Sequence, residues 1–231
     1  MSKVIVVTGA SRGIGYQTAL ELANKGHTVI AVARSKNSLQ KLAEEIDQGK
    51  IIPSAVDLTL EEDLEKLAQT LAEFTTIDGL INNAGAFQKG SIIETDLATY
   101  KKLMDVNLFG AIRVIKIAKE KLKKGSQILN ISSMSGYQGS LKFGGLSAYG
   151  ASKAALVGLS EVLSSEFTED GIAVNCLCIG AVQTEMLAKA FPGFEAPVSA
   201  KQMGTYIADF VLTGHQFYNG KVLPVALNDP S

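Results

Sequence analysis

Short apolar runs alternate with longer amphipathic segments along most of the 231-residue chain. The apolar runs are rich in valine and isoleucine, which is typical of strands covered by helices on both faces. In the amphipathic segments apolar residues recur at helical spacing, as Leu64, Leu67 and Leu71 do. Strands are predicted over residues 3–8, 27–33, 51–56, 79–82, 127–131, 172–178 and 221–226. Helices are predicted over residues 13–25, 38–47, 60–74, 148–167 and 199–212, and a helical pattern with room for one break covers about 97–122.

Strands that alternate with helices predict an α/β fold, a Rossmann-type doubly wound and mostly parallel sheet of about seven strands with helices on both faces. The chain has no proline-rich linker, repeat or low-complexity tract, so we predict a single domain over residues 1–231. Folds of this type bind ligands at the carboxyl ends of their strands, where the strand order reverses. The residues that directly follow each predicted strand are therefore the candidates for function.

The composition of the chain indicates which partners and which cellular compartment are expected. Hydrophobic residues make up 46% of the chain and the net charge is −1, so neither nucleic acid nor a membrane surface is an expected partner. The first apolar run is too short for a signal peptide or a membrane span, which favours a cytoplasmic location. The two cysteines, Cys176 and Cys178, are one residue apart and no histidine lies near them in sequence. We interpret them as buried thiols and predict no metal site.

A glycine-rich loop follows the first predicted strand and opens the first predicted helix. Gly9 permits a tight turn, while Gly13 and Gly15 allow the backbone to approach a pyrophosphate and the helix to pack against the sheet. The helix N-terminus supplies unpaired N–H groups and the positive end of a dipole for phosphate. The alternative is a glycine turn required only for packing.

Tyr149 and Lys153 are four residues apart at the start of a predicted helix, which places both side chains on one helical face. A neighbouring ammonium favours the phenolate, so we expect Lys153 to lower the pKa of Tyr149. Such a tyrosine can exchange a proton with a carbonyl or an alcohol near neutral pH. The alternative is an exposed tyrosine beside an exposed lysine.

The order and spacing of these motifs resemble those of the short-chain dehydrogenase/reductase family. Thr8 and the three glycines match its T-G-x-x-x-G-x-G motif, and residues 82–85 match its N-N-A-G motif. Asn107 and the Ser132–Ser133 pair stand where the family has its catalytic asparagine and serine, and the Tyr149–Lys153 pair matches Y-x-x-x-K. The resemblance covers roughly residues 3–184 and then weakens.

The resemblance implies a role for each of the four predicted catalytic residues. Tyr149 would be the general acid in reduction and the general base in oxidation, and Lys153 would tune Tyr149 and bind the nicotinamide ribose. Ser133 would donate a hydrogen bond to the substrate oxygen, with Ser132 as its nearest competitor. Asn107 would belong to a proton relay that runs through a water to solvent.

The cofactor is predicted to be NADP(H) rather than NAD(H), because the second strand ends without an acidic residue. Arg34 and Ser35 would meet a 2′-phosphate instead, with Arg12 closing on it; the alternative is a solvated Arg34. Asp57 matches the family's adenine contact, although it or Thr59 could cap the next helix. The predicted cofactor-binding residues are Gly9, Ser11, Arg12, Gly13, Ile14, Gly15, Arg34, Ser35, Asp57, Leu58, Asn83, Ala84, Gly85, Tyr149, Lys153, Gly180, Val182 and Thr184.

These residues predict a reversible NADP(H)-dependent carbonyl reductase. A 3-oxoacyl thioester reductase and a pterin or diketone reductase are alternatives, and a regulator that binds the cofactor without turnover is an alternative of another class. Mainly apolar candidates for the pocket favour an apolar carbonyl substrate: Phe87, Met134, Tyr137, Phe143, Met186, Leu187 and Phe191. Relatives build dimers and tetramers through the regions near Asn107, near Tyr149 and at the C-terminus, so a homodimer or homotetramer is expected.

Overall fold

A computed structural model of the protein describes residues 1–227. The strands are β1 (Val4–Thr8), β2 (Thr28–Ala33), β3 (Lys50–Ala55), β4 (Ile77–Asn82), β5 (Leu122–Ser133), β6 (Ala173–Ile179), β7 (Val182–Gln183), β8 (Val198–Ser199) and β9 (Val222–Val225). The α-helices are α1 (Gly13–Asn24), α2 (Lys36–Glu44), α3 (Glu61–Ala72), α4 (Leu97–Met104), α5 (Gly110–Ala118), α6 (Ser147–Glu166), α7 (Glu185–Ala190) and α8 (Ala200–Thr213).

Seven of the strands described in residues 1–227 form one sheet in the order β3-β2-β1-β4-β5-β6-β9, and every neighbouring pair is parallel. The predicted α/β fold is therefore confirmed. The strand order reverses between β1 and β4, so their carboxyl ends border the crevice where such folds bind ligands. The single-domain prediction for residues 1–231 stays a prediction, and residues 228–231 lie outside the described part.

Two apolar clusters cover the two faces of the sheet, because successive side chains of a strand point to opposite faces. Ile5 and Val7 of β1 pack with residues of α1, α2 and α8. Val6 packs on the other face with residues of α3, α5 and α6. The long apolar runs of the sequence thus supply both layers of the core at once.

The predicted helix over about 97–122 differs most from the structure. A π-helical turn at Asp105–Phe109 separates α4 from α5, and a 3₁₀ turn at Lys119–Lys121 leads into β5, which begins five residues before the predicted strand. Ser126 stabilises this early part of β5, since its hydroxyl donates to the carbonyl of Ile77 at 2.7 Å. In residues 1–227 no helix combines the length and the apolar character needed to cross a bilayer.

Candidate active site

The ends of β1 and β4 are joined by hydrogen bonds beneath the glycine loop. The hydroxyl of Thr8 accepts from the backbone N–H groups of Asn83 and Ala84, both at 3.0 Å, and donates to the carbonyl of Ile81 at 3.3 Å. The Asn83 side chain donates to the carbonyl of Thr8 at 3.0 Å. Thr8 was not among the predicted site residues, although its position directly before Gly9 was the available signal.

The glycines of the loop are required by their geometry. Gly9 and Gly13 have φ of 70° and 58°, in the left-handed region that favours glycine. A Cβ on Gly9 would lie 2.8 Å from the Cα of Ala84, and one on Gly15 would lie 2.5 Å from the carbonyl oxygen of Gly9. The packing alternative therefore explains Gly15 on its own, without any ligand.

The N-terminus of α1 has the features of an anion site. Arg12 occupies the N-cap position without a side-chain hydrogen bond to the helix, and the first turn holds no acidic residue. Ser11 precedes it at the mouth of the loop, while Ile14 packs into the core on the α1 side of the sheet. Unpaired N–H groups and a helix dipole without a local carboxylate suit a phosphate. The Arg12 guanidinium lies 3.7 Å from Glu185, so it does not stand free.

Arg34, at the end of β2, is 77% exposed and its guanidinium lies 4.0 Å from the carboxylate of Asp57. Ser35 caps α2, because its hydroxyl accepts from the N–H of Ser38 at 3.4 Å, and α2 consequently begins before the predicted start at residue 38. Asp57 accepts from the N–H and the hydroxyl of Thr59 at 3.0 and 2.7 Å.

Neither Asp57 nor Thr59 caps the following helix, so that alternative was wrong: Leu60 is the N-cap residue of α3 and forms no side-chain bond to it. Leu58 is buried, and its carbonyl accepts from Arg113 at 3.2 Å. The structure thus brings Asp57 to Arg34 and gives Leu58 a place in the core.

Tyr149 lies in the first turn of α6, beside the end of β5. Burial raises the pKa of its phenol, and a hydrogen bond with Ser133 opposes that rise. Ser132 instead donates its hydroxyl to the backbone carbonyl of Lys153 at 2.9 Å. Of the two adjacent serines, Ser133 therefore contacts the phenol and Ser132 anchors the helix.

Lys153 is buried, and its ammonium donates to the carbonyl of Ile131 at 2.8 Å. Burial lowers the pKa of Lys153 to about 8, against the opposing influence of the thiols of Cys176 and Cys178. The expectation that Lys153 lowers the pKa of Tyr149 was wrong for this structure. Desolvation of the phenol dominates, and the ammonium is directed at the Ile131 carbonyl.

Asn107 lies inside the π-helical turn and is 1% exposed. Its amide accepts from the N–H of Ala86 at 2.7 Å and donates to the carbonyl of Ala86 at 3.0 Å and to the hydroxyl of Ser152 at 2.8 Å. A Cβ on Gly85 would lie 3.5 Å from both the Asn107 oxygen and the Lys153 nitrogen. Gly85 therefore keeps open the space that these two side chains border.

Aromatic rings cover Tyr149. The ring of Phe87 lies 4.9 Å from that of Tyr149 in an edge arrangement and 6.0 Å from that of Phe191, which follows α7. Tyr137 and Phe143 instead line a separate groove of about 670 Å³ between the loop after β5 and the outer side of α6. These four predicted pocket residues therefore divide between two places, and Phe87 is the one whose ring packs on Tyr149.

The segment after β6 returns to the glycine loop. Gly180 donates its N–H to the carbonyl of Val225 at 2.9 Å, and Val182 is buried in β7. Thr184 caps α7, with its hydroxyl accepting from the N–H of Leu187 at 3.2 Å. The methyl group of Thr184 faces the loop, 3.4 Å from where a Cβ on Gly13 would lie.

Cys176 and Cys178 lie in β6, buried and free. A hydrogen bond with Cys178 and burial together raise the pKa of Cys176. Both thiols adjoin the buried Lys153, whose charge they influence. They are part of the core behind the site.

A parallel doubly wound sheet with a glycine loop at its switch point, and a partly buried serine and tyrosine beside a buried lysine where β5 and α6 meet, defines a nucleotide-dependent oxidoreductase. The family profile described as short chain dehydrogenase matches residues 3–193. The chain belongs to this family, and it is an oxidoreductase of the class that acts on CH–OH and C=O groups with a nicotinamide cofactor.

Characterised relatives and solved structures are similar over most of their lengths. An NADPH-dependent pterin aldehyde reductase of Arabidopsis thaliana is 34% identical over 82% of this chain and 79% of its own. A 3-oxoacyl-[acyl-carrier-protein] reductase of Escherichia coli is 33% identical over 80% of this chain and 75% of its own. A short chain dehydrogenase of Burkholderia cenocepacia, solved in complex with NADP, superposes with a TM-score of 0.88 at 27% identity, covering 99% of this chain and 98% of that one.

Proposed function

We propose that the protein is an NADP(H)-dependent carbonyl reductase that converts a ketone or aldehyde reversibly to an alcohol, with Tyr149 as the acid and base. The observation that carries the proposal is that the phenol of Tyr149 faces the hydroxyl of Ser133 beside the buried Lys153. A phenol and a hydroxyl that face one point can both bind one substrate oxygen.

The residues around the crevice fit a dinucleotide. The N-terminus of α1 would hold the pyrophosphate, Asp57 the adenine end, and Asn83 to Gly85 would leave room for the nicotinamide ribose. Lys153 would reach that ribose, and Gly180, Val182 and Thr184 would line the nicotinamide side. A nicotinamide bound there supplies the hydride in reduction and accepts it in oxidation.

The protein's own groups manage the proton. Because burial raises the pKa of Tyr149, the phenol stays protonated at neutral pH and can donate to the oxygen of a carbonyl as that oxygen gains negative charge. Ser133 stabilises the same charge by a second hydrogen bond. Lys153, whose ammonium is directed at the Ile131 carbonyl, would act through the ribose that it binds rather than on the phenol, and Asn107 would lead the replacement proton from solvent.

Arg34 supports the preference for NADP(H). Its exposed guanidinium, at the end of the strand where NAD-binding folds place an acidic residue, would form charge-assisted bonds with a 2′-phosphate. The carboxylate of Asp57 lies 4.0 Å from this guanidinium. The Arabidopsis relative is named for NADPH, and the Burkholderia structure holds NADP.

A 3-oxoacyl thioester reductase is the second candidate, favoured by the name and identity of the Escherichia coli relative. Both candidates use the same proton chemistry and differ in the body of the substrate. A regulator that binds the cofactor without turnover has no physical need for a buried lysine beside a serine–tyrosine pair, which argues against that alternative.

The test is the loss of NADPH absorbance with a panel of aromatic diketones, quinones, 3-oxoacyl thioesters, pterins and sugars, with NADH in parallel. Turnover of one class identifies the substrate, and a thioester as the best substrate would select the second candidate. Tight binding of NADPH without turnover of any carbonyl would overturn the proposal in favour of a regulator.

The proposal extends to a homodimer or homotetramer in the cytoplasm. Phe109 in the π-helical turn and Val162 in α6 are large apolar side chains left exposed, and association of two copies would cover them. The free thiols of Cys176 and Cys178 suit a reducing compartment. Light scattering of the purified protein would test the assembly.

A further inference from the structure

Lys89 lies at the outer end of the aromatic residues that cover Tyr149. Its ammonium is 5.0 Å from the centre of the Phe191 ring, the second ring out from Tyr149. The order outward from the phenol is Phe87, Phe191 and then Lys89. A positive charge therefore stands at the outer end of this row of aromatic rings.

The aliphatic part of Lys89 lies beside Gly145, in the loop before α6. A Cβ on Gly145 would contact the side chain of Lys89 at 3.6 and 3.7 Å, and Gly145 has a φ of 79° that favours glycine. The N–H of the adjacent Gly90 donates to the carbonyl of Gly145 at 2.9 Å. Lys89 is exposed, and Gly145 and Phe191 border its side chain.

In the part of the chain that the structure describes, no polar side chain or carbonyl binds the charge of Lys89. Among residues 1–227 its ammonium forms neither an ion pair nor a hydrogen bond, and a contact with a ring face leaves its N–H groups available. The neighbouring Lys142 differs, because its ammonium donates to the carbonyls of Met134 and Tyr137 and to the hydroxyl of Ser140. The hydrogen bonds of Lys142 are thus used to stabilise the loop that follows β5.

We infer that Lys89 is a specificity residue that binds a carboxylate at the far end of the substrate, so that the preferred substrate is a carbonyl compound with an apolar body and an acidic tail. This inference rests on the proposed carbonyl reductase function. The carbonyl sits at Tyr149 and Ser133, the apolar body lies along Phe87 and Phe191, and the carboxylate accepts charge-assisted hydrogen bonds from Lys89. The reaction itself is unchanged: one hydride and one proton are added to the C=O bond.

The experiment compares each keto acid with its own methyl ester. Benzoylbutyrate carries its carboxylate on a short alkyl chain away from the carbonyl, which brings the acid nearer to Lys89 than a carboxylate borne on the carbonyl itself. Phenylglyoxylate carries it directly on the carbonyl, where two aromatic rings separate it from Lys89. We expect about a tenfold preference in kcat/KM for benzoylbutyrate over its ester, expressed in KM, and no such preference for phenylglyoxylate.

Lys89→Met should remove the acid-over-ester preference for benzoylbutyrate, and Lys89→Arg should retain it. Lys189→Met, at an exposed lysine of α7, is the matched control and should leave the ratio of the wild type. Equal ratios in the wild type and Lys89→Met would overturn the inference, as would an equal loss for acid and ester in Lys89→Met, which indicates a packing role. Turnover of neutral carbonyls without any preference for acids rejects only this inference. Absence of turnover with every carbonyl rejects the proposed function and this inference with it.

Discussion

The amide of Asn107 donates to the hydroxyl of Ser152 at 2.8 Å, and that hydroxyl donates in turn to the backbone carbonyl of Tyr149 at 2.7 Å. This link joins the π-helical turn to the first turn of α6. The position of the Tyr149 backbone thus depends on a side chain that lies 42 residues earlier in the sequence. The π-helical turn places Asn107 where its amide can bind both α6 and the segment that follows β4.

Replacement of Asn107 should therefore destabilise the fold as well as reduce activity. Asn107→Ala leaves the N–H and the carbonyl of Ala86 without their partners, which we expect to cost about 3 kcal/mol of the free energy of unfolding. Ser152→Ala, the control, removes a smaller part of the same network and should cost about 1 kcal/mol. Urea unfolding followed by circular dichroism measures both. Equal costs would show that the two bonds to Ala86 contribute little.

Removal of the Tyr149 hydroxyl should stop the chemistry and spare the cofactor. Tyr149→Phe removes the proton donor, so we expect kcat for carbonyl reduction to fall about a thousandfold. NADPH affinity, measured by titration calorimetry, should stay near that of the wild type. Ser133→Ala should lower kcat by about a hundredfold. Turnover like that of the wild type in Tyr149→Phe would refute the assigned role.

Arg34 should decide between the two cofactors. Arg34→Asp removes the charge that meets a 2′-phosphate and adds repulsion, so we expect NADPH affinity to fall about fiftyfold while NADH affinity holds or rises. Arg12→Met is the comparison, and its loss should be smaller because Glu185 already pairs with Arg12. Calorimetric titration of both cofactors gives the result. Equal affinity of the wild type for NADPH and NADH would contradict the assignment.

Replacing each of two glycines by alanine should change the stability of the protein in opposite directions. Gly15→Ala places a methyl group 2.5 Å from the Gly9 carbonyl and against the Asn83 side chain, which we expect to cost about 3 kcal/mol of stability. Gly158→Ala lies in α6 with nothing within 4 Å of the new Cβ and should add about 1 kcal/mol. Thermal unfolding of the two variants tests the pair, and a stable Gly15→Ala would show that the loop can relax.

The low pKa of Lys153 predicts a pH dependence of stability. Because burial lowers its pKa from 10.5 to about 8, the unfolded chain binds more protons than the folded chain between these values. The contribution of Lys153 to the free energy of unfolding therefore increases as the pH rises through that window. Relative to Lys153→Met, the free energy of unfolding should increase by about 2 kcal/mol from about pH 8 to pH 10. A constant difference between the two proteins would place the pKa elsewhere.

The sequence was sufficient for the sheet because buried parallel strands are short apolar runs, and the switch point then places the residues after β1, β4 and β5 side by side. The π-helical turn could not be predicted, since one additional residue in a turn leaves the amphipathic pattern on both sides intact. Ser152 gave no signal either, because a serine within a helix is usually exposed.

The electrostatics of Tyr149 were beyond sequence reasoning for a different reason. The spacing of Tyr149 and Lys153 fixes only a shared helical face. The direction of the pKa of Tyr149 depends on how far Phe87 and its other neighbours remove it from water, and on the carbonyl of Ile131 that receives the Lys153 ammonium. Both are tertiary contacts between residues distant in the chain.

The burial of Cys176 and Cys178 in β6 has a practical consequence. The chain contains two cysteines in all, and both are inside the core, so no native thiol competes for a reagent in solution. A single cysteine introduced at an exposed site such as Lys189 can therefore carry a fluorophore or spin label without removal of the native pair. The signal of such a probe, compared with and without substrate, would report whether the segment that carries Phe191 changes its surroundings.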